Sequence, residues 1–322
     1  MTVTDNRVAA DPFVTYDPRF ADVLGPRPDL VPVIRADAHE GPVYVAGEDC
    51  LYFTTVPLPG DPPVVRVMRL RLDGDRFPVE PARLSVVPAS TTTANGMTLD
   101  VDGRLLVCEQ GSRAAPARIS ALDPATGRVY TVVDGCDGLP LNSPNDVVVA
   151  SDGAVWFTDP SYGHLQGFRD EPRLGDRVYR YDRGAGRLDV VVDGIDKPNG
   201  LVFSPDERIL YVVDSGRSRH VMAFDVRAGT VTGGRVFARI DPGFPDGMAV
   251  DRDGHVYVSS ASGVQVFAPD GAPLGEIRLP GAVNFTFGGP GNGVLFITTD
   301  AAVWAAVLRA TGPGPNRKEG RP

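Results

Sequence analysis

Six polar residues occupy one recurring position in the chain: Glu40, Asn95, Asn145, Asn199, Asp246 and Asn284. Each stands at the head of a short apolar run, followed by a turn and a second short run that often ends in Thr, Ser or Asp. Two carboxylates and four amides brought to one place would offer a cluster of hard oxygen donors. Buried without partners, such a set is costly, because each polar group loses its water. A divalent cation satisfies the set together, and oxygens without Cys or His favour Ca²⁺ or Mg²⁺ over a soft metal. A lone Asn-Gly or Asp-Gly is most simply a turn. Here position and period coincide, and Pro144-Asn145, Pro198-Asn199 and Pro245-Asp246 repeat a proline before the polar residue. The side chains are therefore expected to be aimed, as well as the chain turned.

The elements that must aim them are strands. The apolar runs are short and β-branched: Val43–Val45, Leu51–Phe53, Leu105–Cys108, Val155–Phe157, Leu210–Val213 and Val256–Val258 are representative. Gly, Pro, Asp or Asn bounds each run, which is the signature of strands. Asp102-Gly103, Asp152-Gly153, Asp253-Gly254 and Asp270-Gly271 supply hairpin turns, and Ser204-Pro205-Asp206-Glu207 replaces them once. The six polar residues are spaced by 55, 50, 54, 47 and 38 positions. That mean of about 49 matches a four-stranded propeller blade. The spacing predicts an all-β, six-bladed β-propeller with a central channel. The first strand of each blade would line the channel, so the six residues would meet at one mouth. A strand near Leu30–Ile34 is expected to pair with Val294–Thr298 and Val303–Val307 and close the ring. The organisation is then an N-terminal extension over 1–30 wrapping the surface, the propeller over 31–308, and a disordered tail over 309–322.

Composition agrees and excludes other classes. Of 322 residues, 37 are Gly and 30 are Pro, a load that helices tolerate badly. The net charge of −9 offers no basic face for nucleic acid. Cys50, Cys108 and Cys136 are too few and scattered for a disulfide framework or a zinc ribbon. No secretory leader and no run of about 18 apolar residues is present, so a cytoplasmic protein off the membrane is expected. The partner is a small molecule, and the sequence leaves oligomeric state open.

The chain also resembles a known family. His39-Glu40-Gly41-Pro42-Val43-Tyr44, Asn142-Ser143-Pro144-Asn145-Asp146, Phe157-Thr158-Asp159-Pro160-Ser161-Tyr162-Gly163, Pro198-Asn199-Gly200-Leu201 and Pro245-Asp246-Gly247-Met248 resemble the gluconolactonase, senescence-marker-protein and luciferin-regenerating-enzyme family. The bacterial gluconolactonase branch is nearest in pattern, and the likeness runs from about Asp37 to Val307. It implies one divalent cation at the channel mouth, Ca²⁺ foremost, with Mg²⁺ or Zn²⁺ as alternatives. It places metal ligands at Glu40, Asn199 and Asp246, and makes Asp246 catalytic as well. It puts Asn145 on the metal, directly or through water, or on substrate. One departure is visible. Where this branch reads His-Gly followed by paired Arg, the chain reads Gln110-Gly111-Ser112-Arg113-Ala114, which points to a different substrate preference.

The expected reaction is hydrolysis of a cyclic ester by water, with Asp246 as proton acceptor and no covalent nucleophile. Asn95, Asp159, Tyr162 and His164 are candidate substrate contacts. Alternation along the chain points His39 away from the channel. His255 reads as a strand-face residue, and Trp156 and Trp304 as packing between blades. No Gly-x-Ser-x-Gly elbow or phosphate loop is present. Asp251-Arg252-Asp253-Gly254 begins like a calcium loop but has Ser262 where the last ligand should be. Two other readings stay open: a tailoring enzyme such as a cyclase or isomerase on the same scaffold, and a non-catalytic binding propeller.

Overall fold

The computed structural model describes residues 11–314. Six antiparallel sheets stand as blades round a common axis, five of four strands and one of five. The inner strands are Val43–Val45, Ala94–Leu99, Val147–Val149, Pro198–Phe203, Met248–Val250 and Phe285–Gly288. Each neighbours the next, and the sixth returns to the first, so the ring is closed. Helix among the described residues is confined to Phe20–Leu24, Tyr162–Leu165 and two short 3₁₀ turns. No helix among them is long and apolar enough to cross a membrane.

Closure follows the expected route. Asp29–Arg35 forms the outermost strand of the sixth blade, with Leu30 opposite Ala306 and Ile34 opposite Val303. Pro32 is tolerated there because an outermost strand has one side free of ladder bonds. The preceding segment does more than wrap the surface. Phe13–Thr15 adds a fifth strand to the fifth blade, with Phe13 opposite Ile277. Phe20 then packs over Gly275 so closely that no side chain would fit at that glycine. The start of the expected tail is held too, since Arg309 and Ala310 donate backbone bonds to Val23 O at 3.1 and 3.0 Å. Residues 1–10 and 315–322, which carry the rest of the extension and tail, lie outside the described residues.

Six apolar clusters fill the spaces between neighbouring blades. Trp156 shares its cluster with Leu210, Val212 and Phe224 of the next blade, and Trp304 shares its own with Tyr257 and Leu274 of the blade before, as expected for both. The hairpin glycines Gly103, Gly153, Gly254 and Gly271 all have φ between 85° and 87°, a conformation other residues adopt only under strain. His255 is more than a strand-face residue. Its Nδ1 lies 2.8 Å from Asp251 Oδ2, and Tyr257 donates to the same oxygen. The bond to Asp251 raises the His255 pKa above its ordinary 6.5. A group raised on folding stabilises fully below its unfolded value and ceases to do so as pH passes its folded value. His255→Asn should therefore lower the melting temperature at pH 6 more than at pH 9, as read by thermal melts at both.

Candidate active site

The sequence repeats a clamp that fixes the ring of polar residues. Thr54, Thr158 and Thr298 end or nearly end the second strands of three blades. Thr54 Oγ1 donates to Glu40 O at 3.1 Å and to Asn95 O of the next blade at 3.3 Å. Thr158 Oγ1 reaches Asn199 O at 2.8 Å, and Thr298 Oγ1 reaches His39 O at 2.6 Å. Ser259 Oγ accepts from Asp246 N at 3.0 Å in the fifth blade. Each hydroxyl thus holds the backbone just where a polar side chain departs. The residue after the polar one is often glycine for a steric reason. A Cβ at Gly41 would stand 2.7 Å from Asn95 O, and at Gly96, Gly200 and Gly247 it would collide with Asn145 O, Asp246 O and the Asn284 side chain of the next blade. The Asn-Gly and Asp-Gly pairs here serve close approach between blades.

The result is a cavity of about 300 Å³ at the channel mouth. Glu40, Asn95, Asn145, Asn199 and Asp246 all line it, and Tyr162 and Gln110 join them. His39, Gln166, Ser215, Phe244 and Pro245 complete the wall. Asn284, the sixth member of the series, is not in the wall. Its Nδ2 donates to Glu40 Oε2 at 2.7 Å, so it orients the glutamate. Tyr162 comes from the helix Tyr162–Leu165, and its hydroxyl lies 3.4 Å from Asn199 Nδ2. Burial, above all, pushes the Tyr162 phenol up to about 12, so it is a neutral hydroxyl near neutral pH.

Charge in the cavity is unbalanced. Burial pushes the carboxyls of Glu40 and Asp246 above the ordinary carboxylate range, and the Asp246 charge pushes Glu40 further. Asp146, behind them, is raised to about 7 by burial, although Val147 N and Leu201 N donate to its carboxylate. Asn95 Oδ1 is buried with no hydrogen-bond partner. Two crowded carboxyls and an orphaned amide oxygen are the donor set a hard cation fits. Glu40, Asn145, Asn199 and Asp246 could hold one. Among the described residues no group of three or more His, Cys, Asp or Glu is placed to bind a metal; the amides would have to supply the remaining ligands.

Two candidate substrate contacts lie elsewhere. Asp159 is fully buried and does not line the cavity. Its carboxylate accepts from Asn142 N and Ser143 N, both at 2.8 Å, and so fixes the segment leading to Asn145. Burial raises it to about 7 against those bonds. His164 lines a neighbouring cavity of about 310 Å³ with Ser112, Arg169 and Arg173, on the other side of the short helix from Tyr162. His39 corrects the sequence reading in the opposite sense. Alternation placed it away from the channel, but residues 39–42 precede the inner strand in irregular backbone, where alternation does not apply. Its ring lines the cavity, with Nδ1 2.6 Å from Asp300 Oδ1. Burial disfavours the charged ring, but the bond to Asp300 and the charges of Glu40, Asp300 and Asp246 outweigh it and hold His39 at about 9. Gln166, Ser215 and Phe244 carried no signal in the sequence, since they come from connections outside the repeated position.

Comparison with known proteins agrees with the fold. The model of the SMP-30/Gluconolactonase/LRE-like region matches residues 38–301. A gluconolactonase of Zymomonas mobilis is 35% identical over 274 residues, covering 77% of this chain and 72% of its own. A pentonolactonase of Haloferax volcanii is 30% identical over 225 residues, covering 66% of this chain and 69% of its own. The solved structure of a Xanthomonas campestris gluconolactonase superposes with a TM-score of 0.80 at 35% identity, covering 94% of this chain and 96% of that one.

Proposed function

The chain belongs to the SMP-30/gluconolactonase/LRE-like family, and on that premise we propose that it is a metal-dependent lactonase hydrolysing a sugar-type lactone with water. The observation that carries the reading is the convergence of Glu40, Asn145, Asn199 and Asp246 on one cavity, with Asn95 and Tyr162 beside them. Those four residues would hold one divalent cation, Ca²⁺ being the proposed ion for an all-oxygen donor set. When bound, the ion would polarise the ester carbonyl and make a nearby water more acidic.

The protein's own groups do the rest. Asp246 accepts a proton as water adds to the carbonyl carbon. The ring C–O bond then breaks, the alkoxide takes a proton, and the product is an open-chain hydroxy acid. Asn284 keeps Glu40 oriented, and Asp159 keeps the segment before Asn145 in place. The Tyr162 hydroxyl and the Asn95 amide are polar groups that a substrate hydroxyl could meet. Gln110, in the wall where the related pattern has His, favours a substrate other than gluconolactone itself within this class.

The test is acid release from a panel of γ- and δ-lactones, some hydroxylated, followed with a pH indicator at saturating Ca²⁺. Turnover on at least one hydroxylated lactone is expected. Inactivity across the panel would discard the lactonase reading in favour of a tailoring reaction on the same scaffold.

A further inference from the structure

His39 is the one ring in the cavity wall whose nitrogen chemistry the hydrolysis described above does not use. Its backbone is fixed at both ends: His39 N donates to Thr54 O at 2.8 Å, and Thr298 Oγ1 donates to His39 O at 2.6 Å. Its ring is fixed as well, because Asp300 Oδ1 lies 2.6 Å from Nδ1. A carboxylate only accepts, so Nδ1 carries the hydrogen. Nε2 then has no protein partner among the described residues and is not among the buried polar atoms.

Asp300 is held in an unusual place to do this. It sits in the tight turn between the strands Val294–Thr299 and Ala302–Val307 with φ of 40°. Side-chain-bearing residues adopt that region rarely, and Asp and Asn do so most readily. The sixth blade thus spends a strained turn residue on orienting a ring that belongs to the first. Asp300 is 61% exposed, so the pair's value lies in orientation rather than in buried charge.

We propose that His39, oriented by Asp300, binds a hydroxyl of the substrate through Nε2 and sets a preference for hydroxylated lactones over unsubstituted rings. The assignment rests on the reading that this cavity takes a lactone. A hydroxyl both donates and accepts, so it satisfies Nε2 in either form of the ring. Asp300 is the positioning residue, and His39 is the group that touches substrate.

The experiment compares wild type, His39→Leu, Asp300→Asn and Asp300→Gly on a tetrahydroxylated δ-lactone and on δ-valerolactone. Glycine removes the carboxylate without straining the positive φ, and asparagine keeps both the conformation and an acceptor for Nδ1. His39→Leu should raise KM for the hydroxylated lactone about tenfold, the worth of one hydrogen bond. Its KM for δ-valerolactone should rise less, so that the ratio of kcat/KM for the hydroxylated lactone to that for δ-valerolactone falls about tenfold. Asp300→Gly should shift KM in the same direction, and Asp300→Asn should restore most of it. Equal losses on both lactones, or no loss on either, would overturn the proposal. If wild type hydrolyses no lactone, the lactonase reading alone has failed. Binding of a tetrahydropyran bearing the same hydroxyls then decides. About tenfold weaker binding by His39→Leu supports the assignment, whereas equal affinity, or no binding by wild type, refutes it.

Discussion

Asp246→Asn should lower lactone turnover by about 10²–10⁴-fold at saturating divalent cation, the usual cost of removing a general base. The substitution keeps the size of the side chain and one oxygen donor. It removes the negative charge and the proton acceptor. Asp246 lines the cavity beside the other proposed ligands, so it would take the proton through its position next to the water rather than through an elevated pKa. Metal affinity should fall as well, because one of two carboxylates in the wall is lost, and the assay must be run at several cation concentrations. A mutant restored to near wild-type turnover by excess cation would show that Asp246 is only a ligand. The base would then have to be sought elsewhere, and Asp159 could not supply it, since its carboxylate is sealed from the cavity by two backbone amides.

Glu40 and the cation proposed for it should produce the second large effect, with a change of sign in stability. Exhaustive chelation should lower activity at least about 100-fold, because the proposed ion would contribute several kcal/mol of charge stabilisation to the reaction. It should also lower the melting temperature, since a ligand bound only by the native state contributes about 2.7 kcal/mol at a hundred times its Kd. Glu40→Gln tests the cause. In chelator, burial and the charge of Asp246 disfavour the ionisation of Glu40. A carboxyl whose pKa is raised on folding loses stability as pH climbs from its ordinary value to its folded one. At pH 8, Glu40→Gln without cation should therefore melt at or above wild type. With saturating Ca²⁺ it should melt below wild type, because the weaker ligand binds less ion. Asn284→Ala and Asn95→Ala should each cost less activity than Glu40→Ala, the first acting only through the orientation of Glu40. Differential scanning of wild type and Glu40→Gln with and without Ca²⁺ reads the stabilities, lactone hydrolysis by the alanine variants reads the activities, and the absence of a crossing for Glu40→Gln would count against a shared cation.

The blade pattern was legible because it is written locally. Asp-Gly turns, β-branched runs and a polar residue at one recurring position are short-range signals, and the closed ring multiplies them six times. Five of the six recurring residues meet in one wall for the same reason: equivalent positions in a rotationally repeated fold share one radius and height. Side-chain orientation at the ends of elements and between them was not legible. His39 lies four residues before the inner strand that begins at Val43, and Gly41 with φ of 57° stands between them. Asp159 looked like a cavity carboxylate because it ends a second strand, but the neighbouring amides of Asn142 and Ser143 turn it inward. His164 follows Tyr162 by two residues on a one-turn helix, which sends the two side chains to different cavities. The fifth strand at Phe13–Thr15 is three residues long and takes its partner from 260 positions away, a distance over which a short apolar run carries no pairing signal.

The most direct test of a cation-dependent lactonase at this channel mouth is a titration of metal-free wild-type protein with Ca²⁺, following acid release from the best hydroxylated lactone. The account predicts negligible turnover without ion and a rise that saturates at about one equivalent, in keeping with a single site of four ligands. Full turnover in excess chelator, or no recovery with Ca²⁺, Mg²⁺ or Zn²⁺, would contradict it.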